Sequence, residues 1–232
     1  MIGNRDHSED QGHDPAPDRD ADVEPGEGGP PRPPGSIVRM GLLFYGAMGV
    51  AALLWRMATP GDSILHPSLE AEARAWSLPA AIGAGVAVGL LAIGVSEALT
   101  RWTALGRALS DLLAESIGPL DRGNAWLLAF ASGLAEEMFF RGALQPKVGI
   151  IGASILFGAA HFLPRRELAL WSVYAIGIGL GLGALYEWTG QLVAPVAAHV
   201  LVNAVNLPRL AGRGKRPDSV AERDGVDLDP RA

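Results

Sequence analysis

Six ionisable or amide side chains lie within segments that are otherwise apolar enough for a lipid bilayer. They are Glu136, Glu137, Arg141, His161, His199 and Asn203. Placing a charged side chain at bilayer depth costs at least about 2.5 to 3.5 kcal/mol, so such residues in membrane segments indicate a function. Hydrolysis of a peptide bond needs a base for water, donors for an oxyanion and a proton for the leaving amine. Carboxylate, imidazole and carboxamide groups supply these.

Helix geometry assigns different tasks to the two adjacent glutamates. Glu137 and Arg141 are four residues apart, so they share a helix face and are predicted to form a buried ion pair. Glu136 is rotated by about 100° from Glu137 around the helix axis, which directs it away from the arginine. We therefore predict that Glu136 is free to accept a proton as a general base.

The histidines occur in two further helical segments. "FGAAH" places Phe157 and His161 one turn apart, and "HVLVN" places His199 and Asn203 on one face. Pro195 cannot donate a helical hydrogen bond and predicts a kink or a polar notch beside His199. Taken singly, each of these residues fits a structural role. Together they favour one catalytic site.

Six apolar runs between residues 36 and 207 approach the roughly 20 residues that a transmembrane helix needs. They are Ile37–Trp55, Leu78–Leu99, Ala125–Leu144, Val148–Leu163, Leu168–Trp188 and Leu192–Leu207. In Arg101–Arg122 the leucines recur at three- and four-residue spacing among charges, which predicts an amphipathic helix at the membrane interface. The predicted fold is all-α, a polytopic transmembrane bundle of about six spans plus this interfacial helix.

Glycines repeat at the spacing that brings membrane helices close together. Gly85 and Gly89 form one such pair, and a second series follows at Gly177, Gly179, Gly181 and Gly183. Small residues at these intervals predict close helix–helix packing rather than a catalytic role.

The two ends of the chain differ from this apolar body. Residues 1–35 carry nine acids against three arginines and almost no large apolar side chain, which predicts a disordered acidic cytoplasmic tail. Residues 208–232 are predicted to be a flexible C-terminal tail. The net charge of −6 resides mostly in the first tail and gives no indication of nucleic-acid binding. The chain has no cysteine, which excludes disulfides and thiolate metal sites.

The basic residues flanking the six predicted spans are distributed unequally. One side receives Arg56, Arg74 and Lys147, whereas the other receives Arg32, Arg101, Arg107, Arg122, Arg165, Arg166, Arg209, Arg213, Lys215 and Arg216. Because cytoplasmic loops carry the excess of basic residues, both termini are predicted to be cytoplasmic. This orientation requires an even number of spans.

Three motifs resemble those of a family of intramembrane proteases. It includes the type II CAAX prenyl endopeptidases and bacteriocin-immunity proteins, and it is known as the CPBP or Abi family. Its pattern is two glutamates, three residues and an arginine, then Phe-xxx-His, then His-xxx-Asn. Here the motifs begin at Glu136, Phe157 and His199. The resemblance covers about residues 124–207, which we take as the protease core of a transmembrane domain spanning 36–207.

The resemblance implies an integral membrane endopeptidase, placed in a bacterial plasma membrane, that cuts membrane-associated proteins or peptides. By similarity, Glu136 would activate the attacking water and His161 would hold or polarise it. His199 and Asn203 would stabilise the oxyanion. In a bacterium we expect a peptide, a signal-peptide remnant or a membrane-anchored regulator as substrate, rather than a prenylated CAAX tail.

The resemblance leaves the dependence on metal open. Glu137 and Arg141 would support the site in either case. Glu136, His161 and His199 form a chemically sound zinc set with one position left for water. No HExxH motif is present. Asn203, four residues after His199, suits an oxyanion donor in a mechanism without metal. We favour a mechanism that requires no cofactor, with Zn²⁺ as the alternative.

Two other functions remain open from the sequence. The chain could be a non-catalytic scaffold or bacteriocin-immunity protein of the same fold, or a proton-coupled transporter with a carboxylate–histidine relay. A transporter would be favoured by paired halves with similar interrupted helices, and we find no internal repeat. The only partners indicated are a membrane substrate and the lipid bilayer, and the oligomeric state is undetermined.

Overall fold

Helices account for the regular structure in the computed structural model, which describes residues 36–59, 63–118, 120–162 and 169–213. In chain order they are α1 (Ser36–Met57), α2 (Leu69–Ala73), α3 (Leu78–Trp102), α4 (Ala104–Ile117), α5 (Arg122–Glu137), a π-helix (Met138–Leu144), α6 (Gln145–Ala160), α7 (Ala169–Thr189) and α8 (Val193–Arg213). No strand occurs among the described residues, so the predicted all-α class is confirmed. The predicted acidic tail at 1–35 lies outside them.

Four helical stretches in the described part of the chain are long and apolar enough to cross a membrane. They are Ile37–Met57, Leu78–Trp102, Arg122–Ala160 and Val193–Arg213. The third contains 39 residues and would extend about 58 Å as one straight helix, about twice the hydrocarbon thickness. It is broken at Gly149, whose φ of 74° and ψ of 170° are not helical. The third and fourth predicted spans therefore meet in this broken stretch, and the count of six stays a prediction.

Large apolar side chains face outward, as expected for helices surrounded by lipid. On α1, Leu43, Phe44 and Leu54 are 60% or more exposed. The charged side chains Glu137 and Arg141, by contrast, are almost completely buried. This inversion of the usual soluble pattern agrees with the four apolar helices in identifying an integral membrane protein.

Polar caps set the limits of the helices between the apolar spans. The Thr103 hydroxyl accepts from the Gly106 N–H at 2.9 Å and caps the start of α4. Gly118, where φ is 67°, follows the last residue of this helix. The Asp121 carboxylate accepts from the Asn124 N–H at 2.9 Å and begins α5. The amphipathic helix predicted within Arg101–Arg122 is thus present as α4, which packs on α3 and α8.

The last helix differs from its predicted form at both ends. Pro195 lies in the first turn of α8, where a missing N–H leaves no helical bond unmade, so the expected kink beside His199 is wrong. At the other end α8 continues through Pro208 to Arg213. The C-terminal tail predicted from residue 208 is therefore helical to residue 213, and 214–232 lie outside the described residues.

Glycines bring α8 and α7 close to their neighbours. A Cβ at Gly85 would overlap the Ala194 carbonyl oxygen, and one at Gly89 would lie 3.0 Å from the Ala198 carbonyl oxygen, so α3 and α8 meet at their backbones. On α7, Gly179 and Gly183 face Ser154 and Gln145 respectively. Gly177 and Gly181 face open space. The predicted close packing on α7 therefore holds for Gly179 and Gly183 and not for Gly177 and Gly181.

Replacement of Gly85 by alanine should test the α3–α8 contact. Because the added methyl group would meet a backbone oxygen, we expect Gly85→Ala to lower the free energy of unfolding by about 1–3 kcal/mol. Gly94→Ala is the matched control on the same helix, since nothing lies within 4 Å of its added Cβ. Unfolding in detergent micelles measures both, and equal stability of the two variants would contradict the close contact.

Candidate active site

A buried ion pair connects the end of α5 to the π-helix. The Arg141 guanidinium donates from Nη1 to Glu137 Oε1 at 2.8 Å, and both side chains are at most 1% exposed. Arg141 also donates from Nη2 to the Gly179 carbonyl of α7 at 3.2 Å and lies 4.4 Å above the Phe157 ring. The ion pair predicted from the four-residue spacing is present.

The same carboxylate orients the histidine of α8. Glu137 Oε1 lies 2.7 Å from His199 Nδ1. Because a carboxylate only accepts hydrogen bonds, the proton of this pair resides on Nδ1. The Nε2 atom of His199 therefore points away from Glu137 and towards Glu136.

A backbone carbonyl orients the histidine of α6 in the same way. His161 Nδ1 lies 2.8 Å from the Phe157 carbonyl oxygen, which can only accept, so Nδ1 is the donor. Neutral His161 then presents an unprotonated Nε2. The Phe157 ring packs between the two imidazoles, with centroids 4.4 Å from His161 and 5.9 Å from His199.

Both imidazoles are directed at the remaining glutamate. Glu136 Oε2 lies 3.7 Å from His161 Nε2 and 3.9 Å from His199 Nε2. These separations exceed a direct hydrogen bond of about 2.7–3.2 Å. The Glu136 Oε2 atom is buried and has no hydrogen-bond partner among the described residues. The Nε2 atoms of both histidines thus approach the same unpartnered carboxylate oxygen.

The π-helix lies between the glutamates and α6. Met138–Leu144 follows α5 directly and carries Arg141 on the side of α7. One turn later, Gln145 donates to the Gly183 carbonyl at 3.2 Å and to Glu187 at 3.0 Å. Arg141 and Gln145 therefore bind the carbonyls of Gly179 and Gly183 on α7, with a spacing of four residues on both sides. The sequence analysis predicted neither the π-helix nor this second anchor.

Asn203 is the predicted site residue that the structure places elsewhere. Its Nδ2 donates to Ser132 Oγ at 3.0 Å, and Ser132 donates to the Ala129 carbonyl at 3.3 Å. Ser132 precedes Glu136 by one turn on α5, so the carboxamide lies one turn below the carboxylate and is engaged there. The remaining five predicted residues form one connected cluster.

A cavity of about 270 Å³ opens beside Glu136 and His161. Its other lining residues come from α1, the π-helix, the end of α6 with Phe162 after it, and α7, and they are Phe44, Tyr45, Met48, Phe140, Ala160, Phe162 and Trp171. Trp171 packs edge to face on His161, with centroids 6.0 Å apart. Sequence reasoning missed Tyr45 and Trp171, because tyrosine and tryptophan are common in membrane helices near the interface and carry little information alone.

His66 lies outside the predicted site and has a structural role. Its Nδ1 lies 2.6 Å from the Gly190 carbonyl oxygen in the turn between α7 and α8. The Leu192 N–H donates to the Leu65 carbonyl at 2.8 Å beside it. This loop therefore fixes the start of α8, the helix that carries His199.

The predicted zinc set is wider than a closed zinc site. Zinc bonds of about 2.0–2.2 Å in tetrahedral geometry hold ligand atoms about 3.4 Å apart, whereas the Glu136 oxygen lies 3.7 and 3.9 Å from the two nitrogens. No group of three His, Asp or Glu side chains in the described ranges has the arrangement of a metal site. In this arrangement the three side chains do not form a closed zinc site.

Replacing Arg141 should destabilise the protein as well as the site. Arg141→Ala leaves Glu137 as a buried anion without its guanidinium, and we expect a loss of about 3–5 kcal/mol in the free energy of unfolding. The double variant Glu137→Gln/Arg141→Met should recover part of this loss because it removes both charges. Arg74→Ala, at an exposed arginine, is the control. Wild-type stability of Arg141→Ala would show that the ion pair is dispensable.

Comparison with known proteins locates a family match in the same part of the chain. Residues 120–205 match the family model described as type II CAAX prenyl endopeptidase Rce1-like. Over 81 residues the chain is 44% identical to the uncharacterized protein YpbD of Bacillus subtilis (strain 168), a segment that covers 34% of this chain. The chain spans about two fifths of the length of that relative, 39%. No solved structure matches the chain.

The matched segment contains α5, the π-helix, α6, α7 and most of α8, and so all six predicted site residues. The helices before it are not covered by the match. The resemblance predicted from the motifs is therefore confirmed for residues 120–205, which match the model of type II CAAX prenyl endopeptidases.

Proposed function

We propose that this chain is an intramembrane endopeptidase in which Glu136 activates water for attack on a peptide bond. The observation that carries the proposal is the convergence of Glu136 Oε2 with the Nε2 atoms of His161 and His199 at 3.7 and 3.9 Å. The endopeptidase family match over residues 120–205 supports the same reaction class. The apolar helices that carry these residues support a substrate that is presented at the membrane.

The first step is the activation and attack of water. A water molecule between Glu136 and His161 donates one hydrogen to the carboxylate and a second to the unprotonated Nε2. As its oxygen bonds to the carbonyl carbon, Glu136 takes the proton and the carbonyl oxygen becomes an oxyanion. The burial of the carboxylate keeps competing water away and strengthens each of these contacts.

The second step is the collapse of the tetrahedral intermediate. The C–N bond breaks, the electron pair leaves with nitrogen, and protonated Glu136 returns its proton to the departing amine. His199 stabilises the oxyanion from Nε2 when it carries two protons, since the Glu137 carboxylate at Nδ1 balances the positive charge. Glu137 and Arg141 act by fixing that imidazole.

The oxyanion role of Asn203 requires a rearrangement. Its carboxamide donates to Ser132, so it would reach the substrate only by giving up this bond or by using its second amide hydrogen. We therefore assign oxyanion stabilisation first to His199 and treat Asn203 as an auxiliary donor. The arrangement also supports a role in fixing α8 against α5.

The cavity beside the site favours an apolar group next to the scissile bond. Phe44, Met48, Phe140, Phe162 and Trp171 line most of its wall, and a volume of about 270 Å³ accommodates one large side chain. We propose that substrates carry a large aliphatic or aromatic residue at this position. The polar edge with Glu136 and His161 then receives the peptide group.

We further propose that the chain lies in a bacterial plasma membrane with both termini in the cytoplasm. The unequal distribution of arginine and lysine around the predicted spans supports the orientation, and the similarity to a Bacillus subtilis protein supports the source.

Glu136→Gln should abolish cleavage, because the amide keeps the shape of the carboxylate and cannot accept the proton. His161→Ala should do the same, and His199→Ala should lower kcat by about 10²–10³ through loss of an oxyanion donor. The assay is cleavage of a membrane-anchored peptide library by protein reconstituted in liposomes, read by mass spectrometry. Glu97→Gln, at an exposed glutamate on α3, is the matched control. Equal products from wild type and Glu136→Gln would favour a non-catalytic scaffold instead.

Metal chelation should leave the reaction unchanged. A carboxylate can activate water without a metal ion, so we expect full activity after treatment with 1,10-phenanthroline and dialysis. Elemental analysis of the purified protein should show less than about 0.1 metal ion per chain, since Glu136, His161 and His199 do not form a closed zinc site. Loss of activity that zinc alone restores would establish the metal-dependent alternative.

A further inference from the structure

The active site extends beyond the segment that the family match covers. The first helix, α1, ends at Met57 and lies outside residues 120–205, yet it packs on α5 and on the π-helix. It supplies one wall of the cavity that contains Glu136 and His161. From this arrangement we propose that Tyr45 is a positioning residue that holds the Glu136 carboxylate towards the two imidazoles. The inference rests on the proposed function and deepens it.

Small residues on either side of Tyr45 bring its helix close to α5. Gly41 and Gly49 are each four residues from Tyr45 and so lie on the same face. A Cβ at Gly41 would lie 2.9 Å from Leu128, and one at Gly49 would lie 3.9 Å from Ala135. The tyrosine therefore enters the interface between two contact points and at the level of Glu136.

The phenol is directed at the carboxylate. Both Tyr45 and Glu136 line the same cavity, and the Tyr45 hydroxyl interacts with the Glu136 carboxylate. Its neighbour Phe44 is 62% exposed on the outer surface of the helix, whereas Tyr45 is half-buried. On this face of α1, between Gly41 and Gly49, tyrosine supplies the polar group.

A carboxylate needs such a partner to keep one orientation. The last torsion of a glutamate side chain is broad and roughly two-fold, so rotation would carry Oε2 away from the histidines. Neither histidine restrains it directly, because their Nε2 atoms lie 3.7 and 3.9 Å away. A donor from outside the motif helices removes this freedom without occupying the space between Oε2 and the imidazoles. Orientation of this kind affects the rate more than substrate binding.

Tyr45→Phe is the decisive variant, because it removes one oxygen atom and keeps the ring that packs between α1 and α5. We expect kcat to fall about tenfold with KM unchanged within about twofold, since the reacting group and not the substrate pocket is disturbed. Tyr186→Phe is the matched control, since it removes a hydroxyl that bonds the Ile64 carbonyl at 3.3 Å, away from Glu136. The control should keep wild-type kcat.

An infrared measurement tests the same inference without turnover. The difference spectrum between wild type and Glu136→Gln gives the carboxyl bands of Glu136, and Tyr45→Phe should shift them by loss of the phenol donor. Tyr186→Phe should leave them in place. Unshifted bands, or an unchanged kcat in Tyr45→Phe, would overturn the role of Tyr45. If wild type and Glu136→Gln instead give the same products in the cleavage assay, the proposed function is wrong. The infrared bands still show in that case whether Tyr45 contacts Glu136.

Discussion

A single buried anion, the Glu137 carboxylate, is the constraint on which the rest of the site depends. It is fully buried and accepts from Arg141 on the π-helix and from His199 on α8 through the same oxygen. Removing a carboxylate from water costs several kcal/mol, and only good geometry with several partners offsets that cost. The ion pair therefore restricts how α5, the π-helix and α8 can pack. It leaves His199 with one orientation.

Close backbone approach is the second requirement, and glycine supplies it where the site needs it. A Cβ at Gly133 would lie 2.9 Å from the Val200 backbone nitrogen, so α5 and α8 meet just before Glu136 and just after His199. Gly179 offers its carbonyl oxygen to Arg141 at 3.2 Å. These contacts do no chemistry. They bring polar side chains from separate helices within reach of one substrate bond.

The features of the site that follow from local spacing could be predicted from sequence. The Glu137–Arg141 pair, the free Glu136 and the separate helices of His161 and His199 all follow from positions within one or two helical turns. Two features could not be predicted, because they depend on how distant helices pack. Asn203 bonds Ser132 because α8 meets α5 one turn before Glu136. Tyr45 reaches Glu136 because glycines let α1 approach α5.

Backbone detail was the weaker part of the prediction. Proline favours a helix end and so predicts that α8 stops before Pro208, whereas the helix continues to Arg213. A bend in α8 is predicted because Pro195 cannot donate to the Gln191 carbonyl, but the helix begins at Val193 and proline in its first turn leaves no helical bond unmade. The apolar runs Ala125–Leu144 and Val148–Leu163 are predicted as two spans. By length and apolarity they fall mostly in one helical stretch, Arg122–Ala160, which is broken at Gly149.

The most direct test of a shared hydrolytic site is an experimental map of the protein in lipid nanodiscs, at a resolution that reveals ordered solvent. The account predicts one solvent molecule within about 2.6–3.2 Å of Glu136 Oε2 and of both histidine Nε2 atoms. Side chains of Glu136, His161 and His199 that turn to separate partners, with no solvent common to them, would contradict it.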